Sequence, residues 1–130
     1  MTFGMNFTRS NMADYKQGDI VWADYPLSDK PHKSKIRPVL IVSNAISNRL
    51  DNDFLIAPIT SKIRNQPFEV ILTDDKVDEP LPALSVVRCN KLHTIRNTRI
   101  TGKITVVDSE SLSEIIANIG QAIQAIIEKR

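Results

Sequence analysis

The chain has 130 residues, of which 42% are apolar, and its formal net charge at pH 7 is +2. This length provides room for one compact domain, and the apolar fraction excludes a chain that is disordered throughout. The weakly basic charge is compatible with a nucleic-acid partner but does not predict one, and no apolar stretch approaches the roughly 20 residues of a membrane-spanning helix.

The first fifteen residues carry all three methionines and lack the continuous apolar core of a secretory signal. We expect residues 1–15 to form a flexible N-terminal extension, followed by a single domain over residues 16–130. Cys89 is the single cysteine of the chain and cannot form an internal disulfide. These features predict a cytoplasmic protein without a membrane partner.

From Gly18 onward, the sequence consists of short β-branched and apolar segments separated by turn residues. The predicted strands are residues 19–24, 37–42, 54–59, 68–72, 84–89 and 100–107. About six strands at this spacing are typical of a small barrel. The sequence therefore predicts a mainly β fold.

The C-terminal segment has a different period. Its apolar residues recur at the three-four spacing of one helical face: Leu112, Ile115, Ile116, Ile119, Ile123, Ile126 and Ile127. This pattern predicts a helix over about residues 109–128, with its isoleucine stripe packed against the barrel. Ser111 and Glu114 form a capping-box signature, although Asp108 or Ser109 could cap one turn earlier. Gly120 either weakens the helix or permits a close backbone approach.

Two segments are predicted to be exposed, mobile loops: residues 27–36, which are rich in lysine, and residues 74–82, which are acidic and contain two prolines. The first segment contains most of a run of basic residues, which are Lys30, His32, Lys33, Lys35 and Arg37. Such a run is either a solvated loop or a surface that binds a polyanion.

Motifs for metal, nucleotide or serine-hydrolase chemistry are not found in the sequence. Cys89, His32 and His93 do not have the spacing of a zinc site, and neither a phosphate-binding glycine loop nor a GxSxG elbow is present. We therefore expect no metal and no cofactor. The informative polar residues stand at the ends of predicted strands and have meaning only in combination.

Four blocks in order carry a family resemblance: GDIVW at 18–22, RPVLIVS at 37–43, PITS at 58–61 and VVRCNKL at 86–92. Together with the C-terminal helix, they resemble the MazF/PemK toxins from about Lys16 to the C-terminus. The resemblance implies an SH3-like barrel with a C-terminal α-helix. It also implies a homodimeric toxin of a type II toxin–antitoxin system that cleaves single-stranded RNA at short sequences without metal. A cognate antitoxin, with which such toxins bind DNA, would cover the active groove.

The resemblance also implies the site residues. Arg37 takes the place of the catalytic arginine, Thr60 and Ser61 the hydroxyl position, and Arg88 the arginine of the plasmid-type members. Asn90 stands where a carboxylate is usual, and His32 lies in the loop where some members carry a functional histidine. The residues expected to bind RNA are Lys33, Lys35, Arg88 and Lys91.

These residue types suit metal-free RNA cleavage, in which the ribose 2′-OH attacks the adjacent phosphorus. An arginine fork matches the phosphate oxygens and stabilises the charged phosphorane, and a threonine hydroxyl adds a hydrogen bond. Arginine is a poor base because its pKa exceeds about 12. Asn90 is not basic either, which leaves the general base open.

Two histidines could supply the missing base, because imidazole titrates near neutral pH. We expect His32 to do so. His93 is the other candidate, but strand alternation would place it on the face opposite Asn90 if both residues lay on one strand. The alternatives to an enzyme are a catalytically impaired member that binds RNA or an antitoxin, and an SH3-like adaptor that binds a peptide.

Overall fold

The computed structural model describes residues 15–27 and 29–129 of the chain. This part forms seven β-strands, two α-helices and two single 3₁₀ turns at Asp74–Lys76 and Asn97–Arg99. The strands are β1 (Asp19–Leu27), β2 (Lys30–Ile41), β3 (Asp53–Thr60), β4 (Glu69–Leu72), β5 (Ser85–Arg88), β6 (His93–Arg96) and β7 (Ile100–Val106). The helices are α1 (Ala45–Asp51) and α2 (Ser109–Ala122).

The strands pair antiparallel in the order β4-β5-β3-β2-β1-β7, and β6 pairs with β3 off this path. The path ends at β4 and β7, so the described pairings make a partly closed barrel rather than a complete ring. Strand β3 is central because Asp53–Ile56 pair with β6 whereas Ile59 and Thr60 pair with β5. The predicted mainly β fold with a C-terminal helix is confirmed.

Residues 30–36 of the segment 27–36 form a strand, contrary to the prediction of a loop. They belong to β2, which pairs with β1 through Tyr25 opposite Lys35 and Ala23 opposite Arg37. The pairing extends the hairpin although the side chains from His32 to Ile36 are exposed. Backbone hydrogen bonds to β1 form this part of the strand, so it carries no apolar pattern that the sequence could reveal.

Two elements were not predicted. Helix α1 has no buried residue, and its N-terminus is capped by the Asn44 side chain, which accepts a hydrogen bond from the Ser47 N–H at 3.1 Å. Strand β6 arises because β5 stops at Arg88, the chain turns at Cys89 and Asn90, and the following segment pairs with β3. The chain therefore reverses direction where the predicted strand 84–89 ends, and a further strand follows.

The core consists of two apolar clusters, which use alternate residues of the same strands. Ile20 and Leu40 belong to the first cluster, which also contains Cys89 and the buried isoleucines of α2. Val21 and Val39 belong to the second cluster, with Tyr25, Phe54 and Ile95. Since neighbouring side chains of a strand point to opposite faces, the two clusters cover the two faces of the β1–β2–β3 sheet.

Helix α2 packs on the first cluster through Ile115 and Ile119, with Leu112 partly buried beside them. Asp108 is its N-cap and accepts a hydrogen bond from the Ser111 N–H at 2.6 Å, so the earliest of the three predicted caps is observed. The helix ends at Ala122 and not near residue 128, because Ile126 and Ile127 find no core to pack against. A Cβ at Gly120 would meet nothing within 4 Å, so no close approach occurs there.

The predicted N-terminal extension lies almost wholly outside the described residues. Tyr15, its last member, is partly buried against the second cluster. None of the described helices is long and apolar enough to span a membrane.

Candidate active site

A cavity of about 350 Å³ opens where β1, β2, β3, β5 and β6 converge. Its walls combine residues that are more than 60 positions apart in the sequence, so the sheet topology creates the site. The lining residues are Tyr25, Pro26, Asp29, Arg37, Pro58, Ile59, Thr60, Arg64, Arg88, Lys91 and His93. Four are arginine or lysine and one is a carboxylate, which makes the cavity suited to an anion.

Arg37 reaches the cavity from β2, on the same sheet face as Tyr25. Its Cζ atom lies 5.8 Å from the centroid of the Tyr25 ring, in a cation–π contact. The Nε atom of Arg37 is buried and has no hydrogen-bond partner among the described residues. A buried guanidinium donor without a partner is costly. The Arg37 guanidinium also lines a cavity that suits an anionic ligand.

Arg88 approaches the cavity from the end of β5, opposite Glu69 of β4. Its Nε atom is also buried and without a partner in the described part of the chain. Two guanidinium groups from different strands thus line one cavity, and the Nε atom of each lacks a hydrogen-bond partner among the described residues. This arrangement matches the oxygens of a phosphate group, which accept several hydrogen bonds at once.

Thr60 stands at the end of β3, opposite Val86 of β5. Its Oγ1 accepts a hydrogen bond from the Lys62 N–H at 3.1 Å, which fixes the side chain where β3 leaves the sheet. The hydroxyl proton remains available for donation, so Thr60 can add a hydrogen bond to an anion in the cavity.

Arg64 also lines the cavity and is not among the site residues predicted from the sequence. It lies between β3 and β4, and its backbone N–H donates to Glu69 Oε1 at 3.2 Å. Its guanidinium Nη1 also donates to the Lys62 carbonyl at 3.3 Å. No strand pattern or motif marks this position, so only the basic charge near PITS could have indicated it.

Tyr25 and His93 form the aromatic wall of the cavity. Their ring centroids are 4.8 Å apart and their planes are inclined by 66°, an edge-to-face contact. Burial raises the pKa of the Tyr25 phenol, although the charges of Arg37 and Arg88 act in the opposite direction. The phenol therefore stays neutral near pH 7 and keeps its O–H as a donor.

The predicted site residues divide into two groups. Arg37, Thr60, Arg88 and Lys91 line the cavity, whereas His32, Ser61, Asn90, Lys33 and Lys35 are exposed and do not line it. His32 lies in the irregular part of the hairpin, where the pairing shifts from Pro26–Ser34 to Leu27–Lys30. Asn90 lies in the turn after β5.

Cys89 lies next to Arg88 but faces the first core cluster. The thiol is fully buried, and its burial, with a smaller contribution from the charge of Glu114, raises its pKa to about 12. It is thus a structural residue and a poor nucleophile. Over the described residues, no three His, Cys, Asp or Glu side chains are grouped as metal ligands would be.

The family model of the PemK-like, MazF-like toxins of type II toxin–antitoxin systems matches residues 16–123 of this chain. The chain belongs to this family. The match to the PemK-like, MazF-like toxins extends from the residues before β1 to the end of α2. This range contains every residue that lines the cavity.

Sequence relatives within the family agree with this assignment. Endoribonuclease EndoA of Bacillus subtilis is 29% identical over 100 residues, which cover 77% of this chain and 86% of that protein. Endoribonuclease MazF of Staphylococcus saprophyticus is 24% identical over 100 residues, which cover 77% of this chain and 83% of that protein.

Solved structures share the fold. MazF from Deinococcus radiodurans has a TM-score of 0.69 at 23% identity, covering 86% of this chain and 100% of that one. A mycobacterial endoribonuclease in complex with its cognate antitoxin has a TM-score of 0.69 at 19% identity, covering 88% of this chain and 99% of that one. The PemK-like, MazF-like toxin fold is therefore common to these proteins.

Proposed function

We propose that this chain is an endoribonuclease toxin that cleaves single-stranded RNA at short specific sequences without a metal. The ribose 2′-oxygen attacks the adjacent phosphorus, the bond to the 5′-oxygen breaks, and the products carry a 2′,3′-cyclic phosphate and a 5′-hydroxyl. Family membership and the names of the relatives EndoA and MazF, both endoribonucleases, support this activity.

The observation that carries the proposal is the pair of unpartnered guanidinium donors. Arg37 and Arg88 come from β2 and β5, and the Nε atom of each is buried beside the same cavity. The phosphorane formed during cleavage has more negative charge than the ground-state phosphodiester. Donors that are already in place stabilise this charge without reorganising, which lowers the barrier.

Other cavity residues would assist binding. The Thr60 hydroxyl can donate to a phosphate oxygen, and Arg64 and Lys91 are exposed cations at the wall of the cavity. Lys33 and Lys35 continue the basic surface along β2, outside the cavity. We assign the cavity to the scissile phosphate and these two lysines to neighbouring phosphates, which position the strand.

The proposed partners are a second copy of the chain and a cognate antitoxin, both in the cytoplasm. The mycobacterial endoribonuclease of the same fold is solved with its cognate antitoxin, which supports the second partner. Large exposed apolar side chains on α1 and after α2 support the first, because such surfaces are often covered in an assembly.

The proposed activity is tested by incubating the purified protein with end-labelled single-stranded RNA in excess EDTA. We expect cleavage at a limited set of sites, with 2′,3′-cyclic phosphate and 5′-hydroxyl ends. Retardation of the RNA without cleavage would instead identify a binding module. Such a result would agree with the presence of Asn90 where the family usually has a carboxylate. A strict magnesium requirement would contradict the mechanism.

A further inference from the structure

Strand alternation disfavours His93 as the base only on the condition that it shares a strand with Asn90. The structure removes this condition, because β5 ends at Arg88 and His93 is the first residue of β6, opposite Ile56 of β3. The reversal brings the His93 side chain to the cavity wall, where it is half-buried. Asn90 remains in the turn and is exposed.

Tyr25 holds the imidazole in place. Its ring contacts His93 edge-to-face and also lies under the Arg37 guanidinium, so one buried aromatic ring fixes the two functional groups relative to each other. Tyr25 itself is 7% exposed and packs in the second core cluster. A group held by packed neighbours is suited to catalysis because little freedom must be lost when the substrate binds.

Of the two histidines of the chain, His93 lines the cavity. The exposed His32 lies in the irregular tip region of the hairpin and does not line the cavity. The charged or titratable groups that surround the cavity with His93 are Tyr25 from β1, Arg37 from β2, Arg88 from β5, and Asp29, Arg64 and Lys91 from the connecting segments. Strand β3 contributes Pro58, Ile59 and Thr60, whose side chains have no titratable group near neutral pH.

On the basis of the proposed RNA cleavage, we infer that His93 is the general base of the reaction. A ring nitrogen takes the proton of the ribose 2′-OH, and the 2′-oxygen forms a bond to phosphorus. The bond from phosphorus to the 5′-oxygen breaks, and its electron pair leaves with that oxygen, which takes a proton from water. The imidazolium then returns its proton to solvent, so the enzyme is unchanged after one turnover.

The inference is tested with single-turnover cleavage rates from about pH 5 to 8.5. For the wild type, we expect the rate to rise with pH and then reach a plateau, because the base must lose its own proton before it can accept one. His93→Gln should lower the plateau by about 10²–10⁴ and abolish the rise, since glutamine cannot accept the proton. Free imidazole should restore part of the rate to His93→Ala, which a purely structural role would not allow.

Two variants serve as controls. His32→Ala removes the exposed histidine of β2, and Asn90→Asp introduces a carboxylate in the turn; neither should change the shape of the pH profile. Circular dichroism and RNA retardation verify that the His93 variants fold and bind. A folded His93→Gln that keeps the rise with pH overturns the inference and leaves the proposed function standing. A wild type that cleaves no RNA at any pH overturns the proposed function itself.

Discussion

At the scale of single residues, substitutions of Arg37 should lower the cleavage rate much more than the affinity for RNA. Arg37→Ala removes one of the two buried, unpartnered donors of the cavity, so we expect the cleavage rate to fall by about 10²–10³. Arg37→Lys should also fail, because lysine retains the charge but lacks the planar fork. RNA affinity should change little, since Arg88 and Lys91 remain in the cavity. Rates are measured with labelled RNA under single-turnover conditions.

The matched control for Arg37 is Lys35→Ala. Lys35 is two residues earlier on β2, opposite Tyr25, and is exposed outside the cavity. Its loss should weaken RNA binding slightly, make binding less dependent on salt, and leave the rate of the bound complex unchanged. Equal turnover of folded Arg37→Ala and wild-type protein would refute the assignment of Arg37.

Cys89 should be chemically silent in the folded protein. The thiol is fully buried and its pKa is about 12, so the reactive thiolate is scarce at pH 8. We expect iodoacetamide at pH 8 to label Cys89 only after the chain is unfolded in guanidinium chloride, as measured by mass spectrometry. Stoichiometric labelling within minutes under native conditions would contradict the burial.

At the scale of elements, the Asp108 cap makes the stability that α2 contributes to the fold depend on pH. The hydrogen bond from the Ser111 N–H, together with the Lys76 charge, lowers the pKa of Asp108 below its ordinary value. A carboxyl group whose pKa is lowered by folding stabilises the fold above its unfolded pKa of about 3.9. This contribution is lost as the pH falls through the lower, folded pKa.

Two substitutions isolate this effect. Asp108→Asn keeps an oxygen that can cap the helix but removes the charge, whereas Asp108→Ala removes both. At pH 7, the midpoint temperature of thermal unfolding should be highest for the wild type, lower for Asp108→Asn and lowest for Asp108→Ala. The difference between wild type and Asp108→Asn should shrink as the pH is lowered from 6 toward 3. A difference that does not change over this range would disprove the role of the carboxylate.

The elements that could be predicted from the sequence are those with their own burial pattern. The six predicted strands are observed because their apolar residues face a core, as in β3. Strand β6 has a single buried residue, Ile95, and the side chains from His32 to Ile36 of β2 are exposed, so partner strands determine both. Helix α2 was predicted too long, because periodicity continues in the sequence where the core to pack against has ended.

The candidate site follows the same division. Arg37, Thr60, Arg88 and Lys91 stand in or beside blocks that resemble the family, and all four lie on the cavity. The location of His93 depends on the reversal after Arg88, which alternation along one strand could not anticipate. Arg64 lies in an irregular segment, where its backbone N–H donates to the Glu69 carboxylate.

At the scale of the whole molecule, a single copy leaves apolar surface uncovered. Ile46 and Leu50 of α1 are 72% and 75% exposed, and Ile126 and Ile127 after α2 are 72% and 101% exposed. The spacing of the second pair continues the buried stripe of α2, which suggests a packing partner rather than solvent. A second copy of the chain is the partner expected for a small symmetric assembly.

We therefore expect light scattering at micromolar concentration to give twice the chain mass of 14.6 kDa. Ile126→Ser with Ile127→Ser and, separately, Ile46→Ser with Leu50→Ser test the two surfaces; the pair that lies in the interface should shift the mass toward the monomer. Ser47→Ala, an exposed change on α1, is the matched control. If the wild type has the monomer mass, the homodimer is excluded, and one copy of the cavity must bind and cleave RNA alone.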